Sequence, residues 1–88
     1  MSKYRRAAKI DANQPAIVEA LRSIPGVTVA VGHDDILVGY AGNTYWYEVK
    51  TSVKSPLRKG QKDLVNNWKG HYRVVSSIVE ILEDFGRR

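Results

Sequence analysis

Asp35, Glu48 and Lys50 are the residues of this chain whose types and spacing suit catalysis. Glu48 and Lys50 are two positions apart, so on an extended strand they leave the same face. Asp35 opens an apolar run over residues 36–40. A second β-prone run over residues 44–49 carries Glu48 and leads into Lys50. Between them Ala41, Gly42 and Asn43 supply a turn, and two such runs about a short turn predict a hairpin. Asp35 joins the face of Glu48 and Lys50 only if the positions paired across the hairpin sum to an odd number: one such register sets it opposite Glu48, and the next, shifted by two residues, sets it opposite Lys50. In either case two acids and a lysine meet at one end of the hairpin.

Two carboxylates a few Å apart repel each other and favour a cation between them. Mg²⁺ takes hard oxygen ligands and keeps several waters, so one or two carboxylates and a phosphate suffice to hold it. Such a metal polarises a phosphoryl oxygen and lowers the pKa of a bound water, and a neighbouring lysine orients that water. The chemistry that follows is metal-dependent phosphodiester hydrolysis. The competing reading is a cross-strand ion pair on a surface hairpin, worth about 0.2–1 kcal/mol. The surroundings favour the first: the acids flank an otherwise apolar hairpin, and a basic segment follows at once.

That segment places Lys50, Lys54, Arg58, Lys59 and Lys62 within 13 residues with no acid among them, while Glu80, Glu83 and Asp84 gather near the other end. The net charge is +5 and the pI about 9.7, a balance that favours a polyanionic partner. Cations beside a metal site suit a phosphate backbone, to which they give position rather than sequence information. At 88 residues one domain with a marginal core is expected. There is no cysteine, which excludes disulfides and thiolate metal sites and fits a reducing cytoplasm. No apolar stretch approaches the roughly 18 residues of a membrane span. Residues 1–10 form a basic lead without the apolar centre of a signal peptide, ahead of a single domain over residues 11–88.

The elements that must position these residues are legible in order. Asp11 or Asn13 caps a helix to about residue 23, with Pro15 in its first turn and Ile17, Val18 and Leu21 as its buried stripe. Gln14 shares that inward face, while Glu19 turns toward solvent. After Pro25 and Gly26, residues 27–31 form a strand. In the hairpin, Leu37, Gly39, Thr44 and Trp46 share the face of the acids. Ile36, Val38, Tyr40, Tyr45, Tyr47 and Val49 line the other, and both faces are expected to be covered. Residues 51–60 make a loop. A helix from Gln61 to about residue 68 follows, with Leu64, Val65 and Trp68 at helical spacing and Gly70 ending it. Residues 72–75 form a strand that pairs in parallel with the second arm of the hairpin through a right-handed crossover. Ser77 and Glu80 box the start of a last helix lined by Ile78, Ile81, Leu82 and Phe85. The fold class is α/β, one mixed four-stranded sheet flanked by helices, in the order α-β-β-β-α-β-α.

Residues 35–39 (DILVG), a short turn and residues 47–50 (YEVK) resemble the core of the PD-(D/E)xK nucleases. Gln61 at the head of the next helix makes the chain similar to the VRR-NUC family in its short, stand-alone, phage-type form, over roughly residues 11–85. Where many members carry Pro before the first Asp, this chain carries Asp34. The resemblance implies a restriction-endonuclease-like fold and a Mg²⁺ ion, with Mn²⁺ as a substitute. Asp35, Glu48 and the Val49 carbonyl would hold the ion, and Lys50 would position or activate the water. It implies an acid in the first helix, where this chain offers the neutral Gln14 in the better position or Glu19 in the worse. It sets Gln61 near the phosphate or the lysine. Lys54, Arg58, Lys59 and Lys62 would neutralise DNA phosphates. The function it implies is a structure-specific endonuclease acting on branched DNA, with four-way (Holliday) junction resolution the expected case. The rivals are a DNA-binding protein that kept the fold without the activity, and a sequence-specific restriction-type nuclease. A two-fold homodimer is expected, with its interface on the Tyr40, Tyr45 and Tyr47 face or on the last helix.

Overall fold

A two-residue turn sets the register of the sheet. Ala41 (φ 55°) and Gly42 (φ 81°) both take the left-handed conformation, the requirement of a type I′ hairpin, so Asn43 joins the strand instead of the turn. The computed structural model describes residues 12–33, 35–52 and 56–86. Its elements are α1 (Gln14–Arg22), β1 (Val27–Val31), β2 (Asp35–Tyr40), β3 (Asn43–Val49), α2 (Lys59–Asn67), β4 (Arg73–Val75) and α3 (Ile78–Gly86). The strands lie in the order β1-β2-β3-β4, antiparallel except for the parallel pair β3–β4. This is the mixed α/β sheet and the element order expected. Residues 1–11, with Asp11, and the positions of Asp34 and Lys54 lie outside the described residues.

Strand alternation sorts the sheet into two unlike faces. One carries Val27, Ile36, Val38, Tyr45, Tyr47, Val49 and Val75. Onto these pack Ile17, Val18 and Leu21 of α1 and Ile81 and Phe85 of α3, forming a single core. Leu21, Val38, Tyr47, Val49 and Ile81 are fully buried, so truncating Leu21 to Ala would cost about 2–5 kcal/mol. Tyr40 stacks on Phe85 at 4.3 Å, and Tyr45 and Tyr47 are buried by their own chain. The tyrosine face is therefore core, which removes it as the expected dimer interface. The last helix retains exposed Val79 and Leu82.

The opposite face carries Asp35, Leu37, Trp46 and Glu48 and is not covered as expected. Thr28, Ala30, Leu37 and Thr44 are exposed. The reason is that α1 and α3 serve the same side of the sheet, while α2 buries Gln61 alone and leaves Val65 and Trp68 exposed. Helix α2 also stops at Asn67, because Trp68 takes an extended conformation (ψ 129°), so Gly70 is not its terminator. At the start of α1, Asn13 has helical φ and ψ and makes no side-chain cap. Its Nδ2 donates instead to Lys50 O (3.0 Å) and Ser76 O (2.8 Å). At α3, Glu80 Oε1 accepts from Ser77 N (3.1 Å) and Ser76 N (2.7 Å), which supplies the glutamate half of the expected box.

Candidate metal and phosphate site

Of the two registers open to the hairpin, the turn selects the one that pairs Asp35 with Glu48. Both residues point to the open face, at the end of the sheet where β3 runs on to Lys50. Glu48 is 4% exposed, flanked by β2 on one side and by Val74 of β4 on the other. Lys50 N donates to Val75 O (2.8 Å), so the β3–β4 ladder continues one residue past β3 and Lys50 keeps the alternation that puts it on the side of Glu48. Asp35, Glu48 and Lys50 thus come together at one sheet end.

Two aromatic residues hold the carboxylates, and neither role was anticipated from the sequence. Trp46 Nε1 donates to Asp35 Oδ2 (2.9 Å), and Tyr72 OH donates to Glu48 Oε1 (3.4 Å). The two rings meet edge to face, 4.7 Å between centroids and 74° between planes. Trp46 is itself fixed by its backbone N–H, which donates to His71 Nδ1 (3.2 Å). Gly32 closes the other side of Asp35. Its N–H donates to Asp35 O (2.8 Å), and a Cβ there would overlap Asp35 Oδ1 and lie 3.2 Å from its Cγ. A signal for Trp46 was present: alternation puts it on the face of Asp35, diagonal to it, and indole is a donor with only a carboxylate in reach. The expected strand over residues 72–75 begins one residue later, at Arg73, yet Tyr72 keeps the alternation of Val74, the partner of Glu48, and that alternation was the available signal for it.

The expected helical ligand falls where its phase put it. Gln14 is 3% exposed and Glu19 is exposed. Gln14 Oε1 is buried and has no hydrogen-bond partner among the described residues. The Asn13 bonds to Lys50 O and Ser76 O hold this end of α1 against the end of β3 that bears Glu48, Val49 and Lys50. Gln61 is 6% exposed, not solvent-facing, and its Oε1 accepts from Arg58 N (2.9 Å) at the start of α2. It therefore has a folding role as the third residue of a capping box, while its Nε2 is buried without a partner among the described residues. Of the phosphate-contact candidates, Arg58 and Lys62 are exposed. Lys59 pairs with Asp63 at 3.2 Å on the helix surface, a link worth about 0.3–0.5 kcal/mol.

Behind Glu48, on the core side, lies a second polar group. Asp84 is 8% exposed. It accepts from Tyr47 OH (2.7 Å), His71 Nε2 (3.0 Å) and Arg73 Nη1 (3.0 Å). Because His71 Nδ1 accepts from Trp46 N, its proton resides on Nε2. Burial alone would raise the Asp84 pKa. The hydrogen bonds from Tyr47 and His71 and the charge of Arg73 overcome it and hold the carboxyl below its usual range. Burial, then the bond to Asp84, drives the Tyr47 hydroxyl above the ordinary tyrosine range.

The donor set suits a hard, hydrated cation. Among the described residues no cluster of three or more His, Cys, Asp or Glu side chains is placed to hold a metal. The hairpin brings two carboxylates together, the Val49 carbonyl follows Glu48 on β3, and the start of α1, with the unsatisfied amide oxygen of Gln14, is tied to that end of β3 by Asn13. An all-oxygen set with few protein ligands fits Mg²⁺ or Mn²⁺ and is poor for structural zinc or calcium. Among the described residues no helix is long and apolar enough to cross a membrane. No family model matches the chain, and no curated protein or solved structure shows significant similarity to it.

Proposed function

We infer that this chain is a metal-dependent endonuclease of the PD-(D/E)xK kind, similar to the short VRR-NUC proteins, that hydrolyses phosphodiester bonds in branched DNA. The observation that carries this reading is the hairpin register, which sets Asp35 against Glu48 with Lys50 two residues further on. Mg²⁺, or Mn²⁺ in its place, would be held by Asp35 and Glu48 with the Val49 carbonyl and the Gln14 amide oxygen. Bound there, it would supply Lewis-acid polarisation of the phosphoryl group. Trp46 and Tyr72 orient the two carboxylates through one hydrogen bond each. Lys50 orients the attacking water and balances charge. Arg58 and Lys62, with Lys54 and Lys59, neutralise flanking phosphates. Little chain remains for reading base edges, so recognition rests on DNA shape. Four-way junctions are the favoured substrate, cut by a two-fold homodimer whose paired sites match two equivalent strands.

The test is cleavage of a panel of duplex, flap, fork and four-way junction DNA with Mg²⁺, Mn²⁺ or chelator. Nicking that requires the divalent ion, and is lost in Asp35→Asn, Glu48→Gln and Lys50→Ala at unchanged fold, is expected. Full activity in any one of the three removes that residue from the mechanism. Binding without cleavage under every metal condition would instead mark a nucleic-acid-binding protein on a nuclease fold, the reading that the neutral Gln14 favours. Equal cutting of linear duplex at fixed sequences would mark a restriction-type enzyme.

A further inference from the structure

Trp68 is 51% exposed, although helical spacing from Leu64 sets it on the inward stripe of α2. Its backbone N–H still closes the helix on Leu64 O (3.0 Å), its extended ψ turns the following chain out of the helix, and its indole packs against Trp46. The two indoles meet at 5.1 Å and 83°, an edge contact that fixes the Trp68 ring while leaving much of it in solvent. Trp46 is the residue that hydrogen-bonds Asp35. An exposed, immobilised indole therefore stands one ring away from the candidate catalytic carboxylate. Gly70 leaves the edge of that indole open, since a Cβ there would lie 3.1 Å from its Nε1. Lys62 and Val65 precede Trp68 at intervals of three on the helix, and Lys69 follows it. Lys62 and Lys69 are exposed with no ion-pair partner among the described residues.

We propose that Trp68 is a stacking platform for an unpaired DNA base beside the scissile phosphate. This deepens the nuclease reading by naming the feature of branched DNA that the protein selects. Exposed Leu37 lies opposite Trp46 and exposed Trp68 packs on Trp46, so the three make a contiguous apolar patch of the kind that marks a contact surface. The exposed cations Lys62, before Trp68 on α2, and Lys69, directly after it, identify that contact as a polyanion. Every base offers a π-face, so the contact is independent of sequence. At a stacked rise of 3.4 Å per nucleotide, a base on Trp68 lies roughly one to three nucleotides from a phosphate at Asp35. In a continuous duplex each base face is already stacked on its neighbour. The platform therefore discriminates for strands that branch, flap or fray at the cleavage point.

The test compares binding of wild type, Trp68→Ala and Trp68→Tyr to a flap DNA and to a fully paired duplex, with EDTA to prevent turnover. Trp68→Ala should weaken flap binding about 5- to 150-fold, the range for one stacked base, while duplex binding changes by less than about twofold. Trp68→Tyr should recover most of the loss, because a ring face remains. The chain has two tryptophans, so in Trp46→Phe the emission of Trp68 is read alone. It should be quenched by the flap and not by the duplex. Equal losses on both DNAs, or no quenching, overturn the proposal. The nuclease reading is judged separately, by Mg²⁺-dependent nicking of the same flap. Quenching with the flap-specific loss but no nicking sinks the nuclease and supports the platform, whereas nicking with unchanged flap affinity in Trp68→Ala sinks the platform alone.

Discussion

Replacing Gly32 by Ala is the sharpest test of how the site is built, because it adds one methyl group and removes no candidate ligand. A Cβ at Gly32 would overlap Asp35 Oδ1 and lie 3.2 Å from its Cγ and 3.3 Å from its backbone O. The backbone there is tied by Gly32 N donating to Asp35 O at 2.8 Å, so the carboxylate is the part that yields. Rotating it off its position costs about 0.5–1.5 kcal/mol in rotamer energy. It also strains or breaks the bond from Trp46 Nε1, and a bond to a charged acceptor is worth about 1.5–3 kcal/mol. The sum is a loss of about 2–4.5 kcal/mol of stability, which a small domain tolerates only in part. On the proposed nuclease reading the effect on cleavage is larger, since a misplacement of about 1 Å at a reacting centre costs on the order of 100-fold. Gly60 is the control: a Cβ there meets nothing, and Ala in place of Gly inside α2 favours the helix by about 0.5–1 kcal/mol. Urea unfolding and metal-dependent nicking are measured on both variants. Gly32→Ala should lose activity far beyond its loss of folded protein, and Gly60→Ala should keep activity at slightly raised stability. Full nicking by Gly32→Ala, where Asp35→Asn is dead, would refute the placement of the Asp35 carboxylate.

Three further outcomes follow from the geometry. Gln14→Ala should reduce nicking at least tenfold more than Glu19→Ala, since Gln14 is buried with a spare acceptor and Glu19 is in solvent; the reverse ranking in a cleavage assay would make Glu19 the helical ligand. Asp84→Asn should destabilise by about 1.5–3 kcal/mol at pH 7. The Asp84 pKa is lowered on folding, so its contribution is present above the unfolded value near pH 4 and fades as pH falls through the folded value. The gap between the urea midpoints of wild type and Asp84→Asn should therefore be full at pH 7 and shrink progressively as pH is lowered below about 4, and a pH-independent gap would contradict the charge argument. Lys62→Ala should weaken binding to all DNA shapes alike and flatten the log–log salt slope by about one unit; a changed shape preference at constant slope would show that Lys62 does not meet a phosphate.

What the sequence disclosed was whatever local pattern decides. The hairpin was readable because Ala41 and Gly42 interrupt two β-prone runs, and β4 pairs with β3 in parallel because a helix lies between them. The inward phase of Gln14 and the outward phase of Glu19 followed from helical periodicity. The register remained open between two choices because Gly42 can close a two-residue turn with Ala41 or open one with Asn43, and the left-handed conformation of a non-glycine, Ala41, has no strong sequence mark. Burial of α2 was misread for a different reason. Spacing tells which side of a helix is apolar, but not whether the sheet has room for it, and α1 and α3 both took the other face.

That division of the sheet shows how so short a chain can hold the candidate site. Tyr47 and Glu48 are neighbours on β3 with opposite duties. Tyr47 is fully buried and passes its hydroxyl proton bond to Asp84, which also gathers His71 and Arg73. Glu48 faces the open side with Asp35 across from it. His71 joins the two halves: one ring nitrogen is held by Asp84, and the other accepts the backbone N–H of Trp46, the residue that holds Asp35. A marginal core cannot lend much rigidity to two repelling carboxylates. Here the rigidity comes from a chain of hydrogen bonds that begins at a satisfied, charged Asp84 within the core and ends at Asp35. Leaving the second face uncovered then costs buried area, and in exchange it leaves Asp35, Leu37 and Trp46 open to a ligand as large as a nucleic-acid strand.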